Sequence, residues 1–290
     1  MRRTPLYIII GLLSLGIRVG AQNQIMYDQY RNLSFYNPSV SNLGSNEHHL
    51  VQIWSHTAIE PKGYIKRYNS EIYEDIDLGA RYQGRLENHL FSVSYHYDGY
   101  SFYHQHTVNL GYGYEFVFKD IHHLSFGGRL QVNFCDIMPE KLAVQTDWLK
   151  SFQLIPDFDL GMQYRLRGLN VGLAVLNIAG NSAANNTALI MYERRGYFNI
   201  SYDFALGKGK HVVLSPHLLI YLGQHTASAD FGADLNLWKY AHLGYTFRIQ
   251  EMRHIATVGF EYKGFMFDVA YDGAAKTRKQ RLQLMLGYKF

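Results

Sequence analysis

Hydrophobic and polar side chains alternate along the last stretch of the chain, residues 280–290. A two-residue period places successive side chains on opposite faces of a β-strand, so this stretch predicts a strand with one apolar and one polar face. The apolar face consists of Leu282, Leu284, Leu286, Tyr288 and Phe290. The strand ends on an aromatic residue, which we expect where a final strand closes a membrane barrel against the first.

The same alternation recurs upstream and defines further segments of about the 9–11 residues that a tilted membrane strand requires. The predicted strands span residues 48–59, 74–83, 88–99, 102–118, 121–136, 156–166, 168–178, 192–205, 210–222, 226–238, 240–250, 254–262, 264–272 and 280–290. The pattern predicts an all-β fold: a transmembrane antiparallel β-barrel of about 14 strands over residues 48–290, closed by the C-terminal strand. A soluble two-sheet sandwich also alternates, but such a domain is smaller and turns its aromatic residues inward.

The connections between the predicted strands support this interpretation. All the long connections fall on one side of the barrel if both termini lie in the periplasm. They comprise residues 60–73, 137–155, 179–191 and 273–279, and the opposite side receives short turns at Lys119, Arg167, Lys239 and Lys263 and at residues 206–210. Long surface loops and short periplasmic turns are typical of outer-membrane barrels. Pro216 lies deep inside a predicted strand, where it predicts a bulge or a lost ladder bond.

The first 21 residues have the organisation of a secretory signal peptide. Arg2 and Arg3 precede the apolar stretch 6–15, and small residues precede a predicted cleavage site after Ala21. The apolar stretch is too short for a transmembrane helix, which needs about 20 residues. Removal of residues 1–21 leaves 25 basic and 24 acidic residues, a balance that does not favour nucleic acid as a partner. We therefore expect a multi-pass protein of the cell outer membrane.

The polar face of the predicted strands would line the lumen, and it carries both signs of charge. The charged positions on that face are Glu115, Arg129, Asp157, Asp159, Arg165, Asp203, Asp230, Asp234, Arg248, Glu261, Asp268 and Lys289. A mixed lining favours ion pairs across the lumen over ion selectivity. The polar, turn-rich segment 22–47 precedes the first strand, and two interpretations stay open for it: a plug inside the barrel or a periplasmic tail.

Catalytic and metal chemistry have little support in the sequence. An outer-membrane lipase needs a Ser–His pair oriented by a third polar group, and no such motif is recognisable. His104 and His106 have a spacing that can chelate a metal on one strand face. They lie, however, on the apolar face of the predicted strand, which favours histidines at the membrane–water interface. Cys135 is the single cysteine, which excludes a disulfide within one chain. We predict no enzyme activity, no metal and no cofactor.

A basic run lies in the last predicted surface loop and includes Lys276, Arg278 and Lys279. Two interpretations stay open: a solvated loop, or a site for lipopolysaccharide phosphates or an acidic partner.

Three parts of the chain resemble the PorP/SprF family. The first is the N-terminal stretch 22–30, Gln-Asn-Gln-Ile-Met-Tyr-Asp-Gln-Tyr, followed by Phe-Tyr-Asn-Pro-Ser at 35–39. The second is the stretch 156–164 leading to 171–178, which is similar to the central strand pair of the family. The third is the Tyr-Asp element within 267–273. The chain departs from the family pattern at 276–281, where the basic run replaces a Gly-Ser-His-Glu-like element, and this leaves the choice of partner open.

The resemblance implies a non-enzymatic outer-membrane component of the type IX secretion system that assists export or surface anchoring of large adhesins, such as gliding adhesins. It implies type IX secretion components, a large cell-surface adhesin and a periplasmic peptidoglycan-linked protein as partners, besides outer-membrane lipid and lipopolysaccharide. The alternative is an outer-membrane channel for small solutes. Candidate docking residues are Gln29, Tyr30, Asn37, Pro38, Lys276, Arg278 and Lys279, and Tyr288 and Phe290 are the candidate barrel-assembly signal.

Overall fold

The computed structural model describes residues 32–43, 47–59, 76–100, 103–137, 152–180, 194–207, 209, 211–223, 227–274 and 280–290. These residues contain a single antiparallel sheet. Its strands are β1 (His49–Ile59), β2 (Ile76–Leu86), β3 (His89–Tyr100), β4 (Tyr103–Phe118), β5 (His122–Ile137), β6 (Phe152–Leu166), β7 (Leu169–Leu176), β8 (Arg195–Tyr202), β9 (Phe204–Leu206), β10 (Val212–Gly223), β11 (Ala227–Leu237), β12 (Ala241–Arg248), β13 (Arg253–Tyr262), β14 (Phe265–Ala274) and β15 (Gln280–Lys289). A 3₁₀-helix spans Leu33–Phe35. In this described part of the chain, no helix is long and apolar enough to cross a membrane.

The sheet closes into a ring. Strands that are consecutive in the ring pair antiparallel, and β15 pairs with β1 in a register that runs from Leu50–Lys289 to Ile59–Gln280. The ring has 14 strands, because β9 pairs only with β10 and continues the line of β8. The predicted 14-stranded barrel, closed by the C-terminal strand, is therefore confirmed. Closure removes the free sheet edges that would otherwise carry unpaired backbone groups in lipid.

Burial on the two faces of the sheet is the reverse of burial in a soluble protein. The outward side chains of Ile53 and Leu110 are 50% and 52% exposed, whereas the inward side chains of Asp159 and Arg248 are 0% and 1% exposed. An apolar exterior around a polar interior matches a barrel whose outer surface faces lipid. A soluble sandwich would bury the apolar face instead.

The two ends of the barrel differ in their connections. At one end, which we call the turn end, two-residue turns join β2 to β3, β6 to β7 and β13 to β14. Glu87, Arg167 and Lys263 adopt φ values of 52°, 54° and 50° in these turns, as tight hairpins require in order to match the twist of the strands. At the opposite end, which we call the loop end, the three longest connections span 60–75, 138–151 and 177–194. The predicted asymmetry is confirmed.

Pro216 interrupts the pairing of one strand. The pairs between β8 and β10 end at Ser201–His217 and resume between β9 and β10 at Phe204–Leu214, while Pro216 stays paired with Ala233 of β11. Pro216 has no N–H to donate to the neighbouring strand, so the interruption lies where the sequence predicted a lost ladder bond.

A second proline, Pro156, lies within β6, which begins at Phe152 rather than at the predicted residue 156. It is tolerated because β6 pairs with β7 only from Leu160 onward. At Pro156 the strand pairs with β5 alone, opposite Val132. The missing N–H therefore costs no ladder bond with β7.

Candidate functional site

Residues 32–43, which we call the lumenal segment, lie against the inner wall of the barrel. The segment begins with the 3₁₀-turn, in which the backbone N–H of Tyr36 donates to Leu33 O over 2.9 Å. A second turn is closed by the N–H of Val40, which donates to Asn37 O over 3.1 Å. Asn32, Asn37 and Ser39 are buried although their side chains are polar. Buried polar groups need partners, so hydrogen bonds determine how this segment sits.

Asn37 connects the lumenal segment to two neighbouring strands. Its Nδ2 donates to the carbonyl of Met162 in β6 over 3.0 Å and to that of Leu173 in β7 over 3.3 Å. Its Oδ1 accepts from the backbone N–H and from the Oγ of Ser39, over 3.0 and 2.7 Å. One buried amide therefore ties the turn to itself and to the wall. Such groups are costly to leave unpaired, about 1–3 kcal/mol each.

Glycines on the inner wall make room for this turn. A Cβ at Gly127 of β5 would lie 2.5 Å from the carbonyl carbon of Pro38 and 2.6 Å from the N of Ser39. A Cβ at Gly161 of β6 would lie 2.9 Å from Cδ of Pro38. These glycines allow the backbone of the segment to approach the sheet more closely than any side chain would permit.

An apolar cluster lies inside the otherwise polar lumen. Tyr36 and Trp54 are buried there, and the Tyr36 ring lies 5.2 Å from the ring of Tyr197. The wall contributes Trp54, Ala174, Leu176, Tyr197, Leu219 and Met285 to the cluster. Phe35 packs edge-on against Trp54, with ring centroids 4.8 Å apart. Burial raises the pKa of the Tyr36 phenol well above its usual range, so the side chain stays neutral in the cluster.

Two arginines of the wall contact the backbone and side chain of Ser34. Arg81 donates to Ser34 Oγ over 2.5 Å and to Gln52, and its guanidinium lies 3.8 Å from the ring centre of Phe35. Arg129 donates to Ser34 O over 3.5 Å and pairs with Asp159 at 2.7 Å. Arg81 has no carboxylate within 4.0 Å among the described residues. Its charge is stabilised instead by the neutral oxygens of Ser34 and Gln52 and by the ring of Phe35.

Further charges of the lumen pair between neighbouring or next-nearest strands of the wall, whereas the mixed lining predicted pairs across the lumen. Arg248 and Asp230 are both buried and lie 2.9 Å apart. Further pairs are Arg165–Glu115, Lys289–Glu261 and Arg253–Asp272, together with histidine–carboxylate contacts at His56–Asp77, His96–Asp77, His217–Asp234 and His242–Asp268. Paired, hydrogen-bonded charges rigidify a polar interior. Among the described residues, no group of three or more His, Cys, Asp or Glu is arranged to hold a metal ion.

A cavity of about 350 Å³, which we call the vestibule, lies at the turn end. One side of it is formed by Leu33 and residues 39–43 of the lumenal segment. The other side carries charged residues close to the strand ends, namely Arg85, Glu115, Arg165, Asp203 and Lys289. The vestibule is thus a polar recess of mixed charge whose inner boundary is the lumenal segment.

At the loop end, two carboxylates of β6 fix the start of the connection after β7. Asp159 Oδ1 accepts from the N–H of Asn177 over 2.8 Å, and Asp157 Oδ1 accepts from the N–H of Ala179 over 3.0 Å. Asn177 adopts a left-handed φ of 53°, which asparagine tolerates better than most residues. The inward aspartates therefore determine how the connection leaves the barrel.

The residues named from the sequence fall into three groups. Asn37 and Pro38 lie in the lumen, in contact with β5, β6 and β7. Tyr288 and Phe290 lie on the outer face beside the β15–β1 seam, with their rings stacked 5.8 Å apart. Gln29, Tyr30, Lys276, Arg278 and Lys279 lie outside the described residues, as does the predicted signal peptide.

Sequence reasoning missed Tyr197, Trp54 and Arg81 as partners of the lumenal segment. The sequence did carry a signal for Tyr197 and Trp54, because bulky aromatic residues at inward positions are unusual in a polar lumen. What the sequence did not contain was the pairing that brings β1, β2 and β8 around the same segment.

The closed ring, the apolar exterior and the charged lumen define an outer-membrane type of β-barrel. Solved structures with this fold include the toluene transporter TbuX of Ralstonia pickettii, with 10% identity, a TM-score of 0.54 and coverage of 94% of this chain and 96% of that chain. Omp33 of Acinetobacter baumannii has 9% identity and a TM-score of 0.51, over 84% of this chain and 98% of that one. The toluene transporter TodX of Pseudomonas putida has 9% identity and a TM-score of 0.50, over 94% and 96%. Likeness at these identities shows the fold alone.

The family model described as type IX secretion system membrane protein PorP/SprF matches residues 19–288. The chain therefore belongs to the PorP/SprF family, as the sequence motifs predicted. No curated protein matches the chain.

Proposed function

We propose that this protein is a non-enzymatic docking barrel of the type IX secretion system. In this role it assists export or surface anchoring of a large adhesin-type protein and docks to periplasmic machinery. Membership of the family makes other type IX secretion components its partners. The adhesin and a periplasmic peptidoglycan-linked protein are the further partners that we propose.

The observation that carries the proposal is the seating of the lumenal segment. Hydrogen bonds from Asn37 to β6 and β7, close packing on Gly127, and the cluster around Tyr36 hold this segment between opposite parts of the wall. A barrel whose interior is occupied in this way is suited to act as a rigid membrane ring. We therefore propose that the whole stretch 22–47 acts as a plug after signal peptide cleavage near Ala21.

The two ends of the ring would serve two partners. We propose that the vestibule at the turn end faces the periplasm and receives the periplasmic partner, with Gln29 and Tyr30 contributing to that contact. Asn37 and Pro38 would support the same surface from inside. The basic residues Lys276, Arg278 and Lys279 would contact the adhesin or lipopolysaccharide at the cell surface, because a cluster of cations attracts acidic groups.

A small-solute channel is the alternative function, and the open vestibule is the feature that favours it. For conduction, the lumenal segment would have to leave its place between Gly127 and Tyr197. The buried hydrogen bonds of Asn37 oppose this movement.

Deletion of the gene tests the docking role. We expect loss of surface display of one large adhesin, with unchanged uptake of small solutes and antibiotics by the outer membrane. Restoring the gene should restore display. Normal display of every surface adhesin in the deletion strain would contradict the proposal, and impaired uptake of one solute with normal display would support the channel.

A further inference from the structure

Six histidine–tyrosine pairs lie on the outer face of the described part of the barrel. At the turn end, Nδ1 of the histidine lies 2.7–2.8 Å from the tyrosine hydroxyl in the pairs His49–Tyr82, His89–Tyr112 and His122–Tyr164. At the loop end, the corresponding distances are 2.6–2.9 Å in the pairs His104–Tyr97, His106–Tyr95 and His254–Tyr245. The outer face therefore carries a belt of such pairs near each end.

All six pairs have the same geometry on the sheet. In each pair, the tyrosine stands two residues before the residue that is directly opposite the histidine on the neighbouring strand. For example, His89 is opposite Tyr114 and contacts Tyr112, and His254 is opposite Phe247 and contacts Tyr245. A diagonal contact of this type is within reach of aromatic side chains on paired strands. The recurrence of one geometry at both ends indicates a common role.

The spacing of the two belts matches the thickness of a membrane. His89 is opposite Tyr114 in β4, and His104 lies ten residues away along the same strand. At about 3.4 Å per residue and a tilt of about 40°, this separation corresponds to roughly 26 Å along the barrel axis. The apolar band of an outer-membrane barrel is about 25 Å tall. The two belts therefore lie at the depth of the lipid headgroups.

The partners of the histidines differ between the two faces of the wall. The inward residues His56, His96, His217 and His242 contact aspartates. The outward six contact tyrosine hydroxyls and no carboxylate among the described residues. When the tyrosine O–H donates to Nδ1, the neutral imidazole carries its proton on Nε2, because a ring nitrogen that accepts a hydrogen bond is not the protonated one. Each pair then presents an N–H donor, and no carboxylate of the described residues competes for it.

We propose that these two belts bind the phosphate groups of membrane lipids. Phosphate oxygens are the strongest acceptors at headgroup depth, and an N–H donor oriented by a neighbouring hydroxyl loses little freedom on binding them. The tyrosine is a positioning residue, and the histidine makes the contact. This inference is independent of the secretion role, since it concerns how the barrel is held at a fixed depth.

Solid-state NMR on the full mature protein tests the proposal directly. The protein is labelled with ¹⁵N-histidine and reconstituted in vesicles of phosphatidylethanolamine and phosphatidylglycerol, and dephasing of the ¹⁵N signals by lipid ³¹P is recorded. A hydrogen bond to phosphate places Nε2 roughly 4 Å from phosphorus. We expect dephasing of the Nε2 signals of the outward histidines and none for His56, His96, His217 and His242. Absence of dephasing at the outward histidines would overturn the proposal, and this measurement needs no variant.

Two matched substitutions test whether the tyrosine hydroxyl is needed for the contact between histidine and lipid phosphate, or whether any interfacial histidine gives the same signal. Tyr112→Phe removes the hydroxyl that orients His89, and we expect at least a twofold loss of dephasing at His89. Tyr114→Phe removes a hydroxyl two residues away on the same strand and should leave the signal unchanged. Equal effects of the two variants would contradict the role of the pair. Phosphate-free glycolipid vesicles in inorganic phosphate buffer should give no dephasing, and equal dephasing there would show binding of free phosphate and overturn the lipid assignment.

Discussion

Gly127 and Gly128 are neighbours in β5 but meet different surroundings. The Cβ position of Gly127 is occupied by the backbone of Pro38 and Ser39, whereas the nearest atom to a Cβ at Gly128 is Cδ2 of Leu160 at 3.5 Å. Successive strand residues point to opposite faces, so Gly127 faces the lumenal segment and Gly128 faces outward. The requirement for glycine at one of these positions comes from a contact distant in sequence.

This difference predicts unequal effects of two alanine substitutions. Gly127→Ala forces the rigid turn at Pro38 away from β5, and we expect a loss of about 1–3 kcal/mol in the free energy of unfolding, measured by urea titration in vesicles. Gly128→Ala is the control and should change stability by less than about 0.5 kcal/mol. If both variants were equally stable, the close contact with the lumenal segment would have no energetic role.

The buried pair Asp230–Arg248 gives a second prediction at this scale. Asp230→Asn leaves the buried guanidinium of Arg248 without its carboxylate, so we expect a loss of about 3–5 kcal/mol in the free energy of unfolding. Replacing both residues, with Asp230→Leu and Arg248→Met together, should recover most of that loss because no uncompensated charge remains. A double variant as unstable as Asp230→Asn would show that the pair itself stabilises the barrel. Urea titration of the three proteins measures both effects.

The seam between β1 and β15 is the element that completes the ring. The backbone N–H of His49 donates to Phe290 O over 2.9 Å, and that of Phe290 donates to His49 O over 3.0 Å. The ring of Phe290 lies 5.0 Å from the ring of His49. The last residue therefore contributes a side-chain contact as well as backbone bonds to closure.

We expect Phe290→Ala to impair assembly of the barrel. The substitution removes an aromatic contact of about 1 kcal/mol from the seam, and the folded fraction should fall in a heat-modifiability assay on gels. Phe118→Ala provides the control, because Phe118 is an exposed aromatic residue at the end of β4 and takes no part in the seam. An equal loss of folded protein in both variants would argue against a special role for the last residue.

The strands were predictable from the sequence because alternation is a local property. β4, for example, begins and ends within one residue of the prediction. The 3₁₀-turn at Leu33–Phe35 and the seat of Asn37 were not predictable. Asn37 depends on Gly127, Gly161 and the carbonyl of Leu173, which come together only when β5, β6 and β7 pair. The lost ladder bond at Pro216 was predictable because proline has no N–H. The tolerance of Pro156 within β6 was not, because it depends on where the pairing with β7 begins.

For the molecule as a whole, the lumenal segment links opposite sides of the ring. Arg81 of β2, Leu173 of β7 and Tyr197 of β8 all contact it. If the segment is a plug, residues 22–46 should resist added protease in the folded protein, because their backbone is not accessible. Mass spectrometry of the digest measures this. Rapid trimming to about residue 46 would show a free tail, and Gly127→Ala should accelerate cleavage more than Gly128→Ala.

Single-channel recording distinguishes the two proposed functions, a docking ring and a channel for small solutes. With the lumenal segment in place, the interior is occupied by the Tyr36 cluster and the hydrogen bonds of Asn37, so we expect no steady current from the intact protein. Deletion of residues 22–43 leaves Arg81 and Trp54 facing an emptied lumen, and water entering this polar passage should allow steady conductance. Asn37→Ala is a milder variant that keeps the chain length and should produce brief openings, since it loses the bonds to β6, β7 and Ser39 but keeps the Tyr36 cluster. Steady, solute-selective current from the intact protein would instead favour the channel and remove the main support for a rigid docking ring.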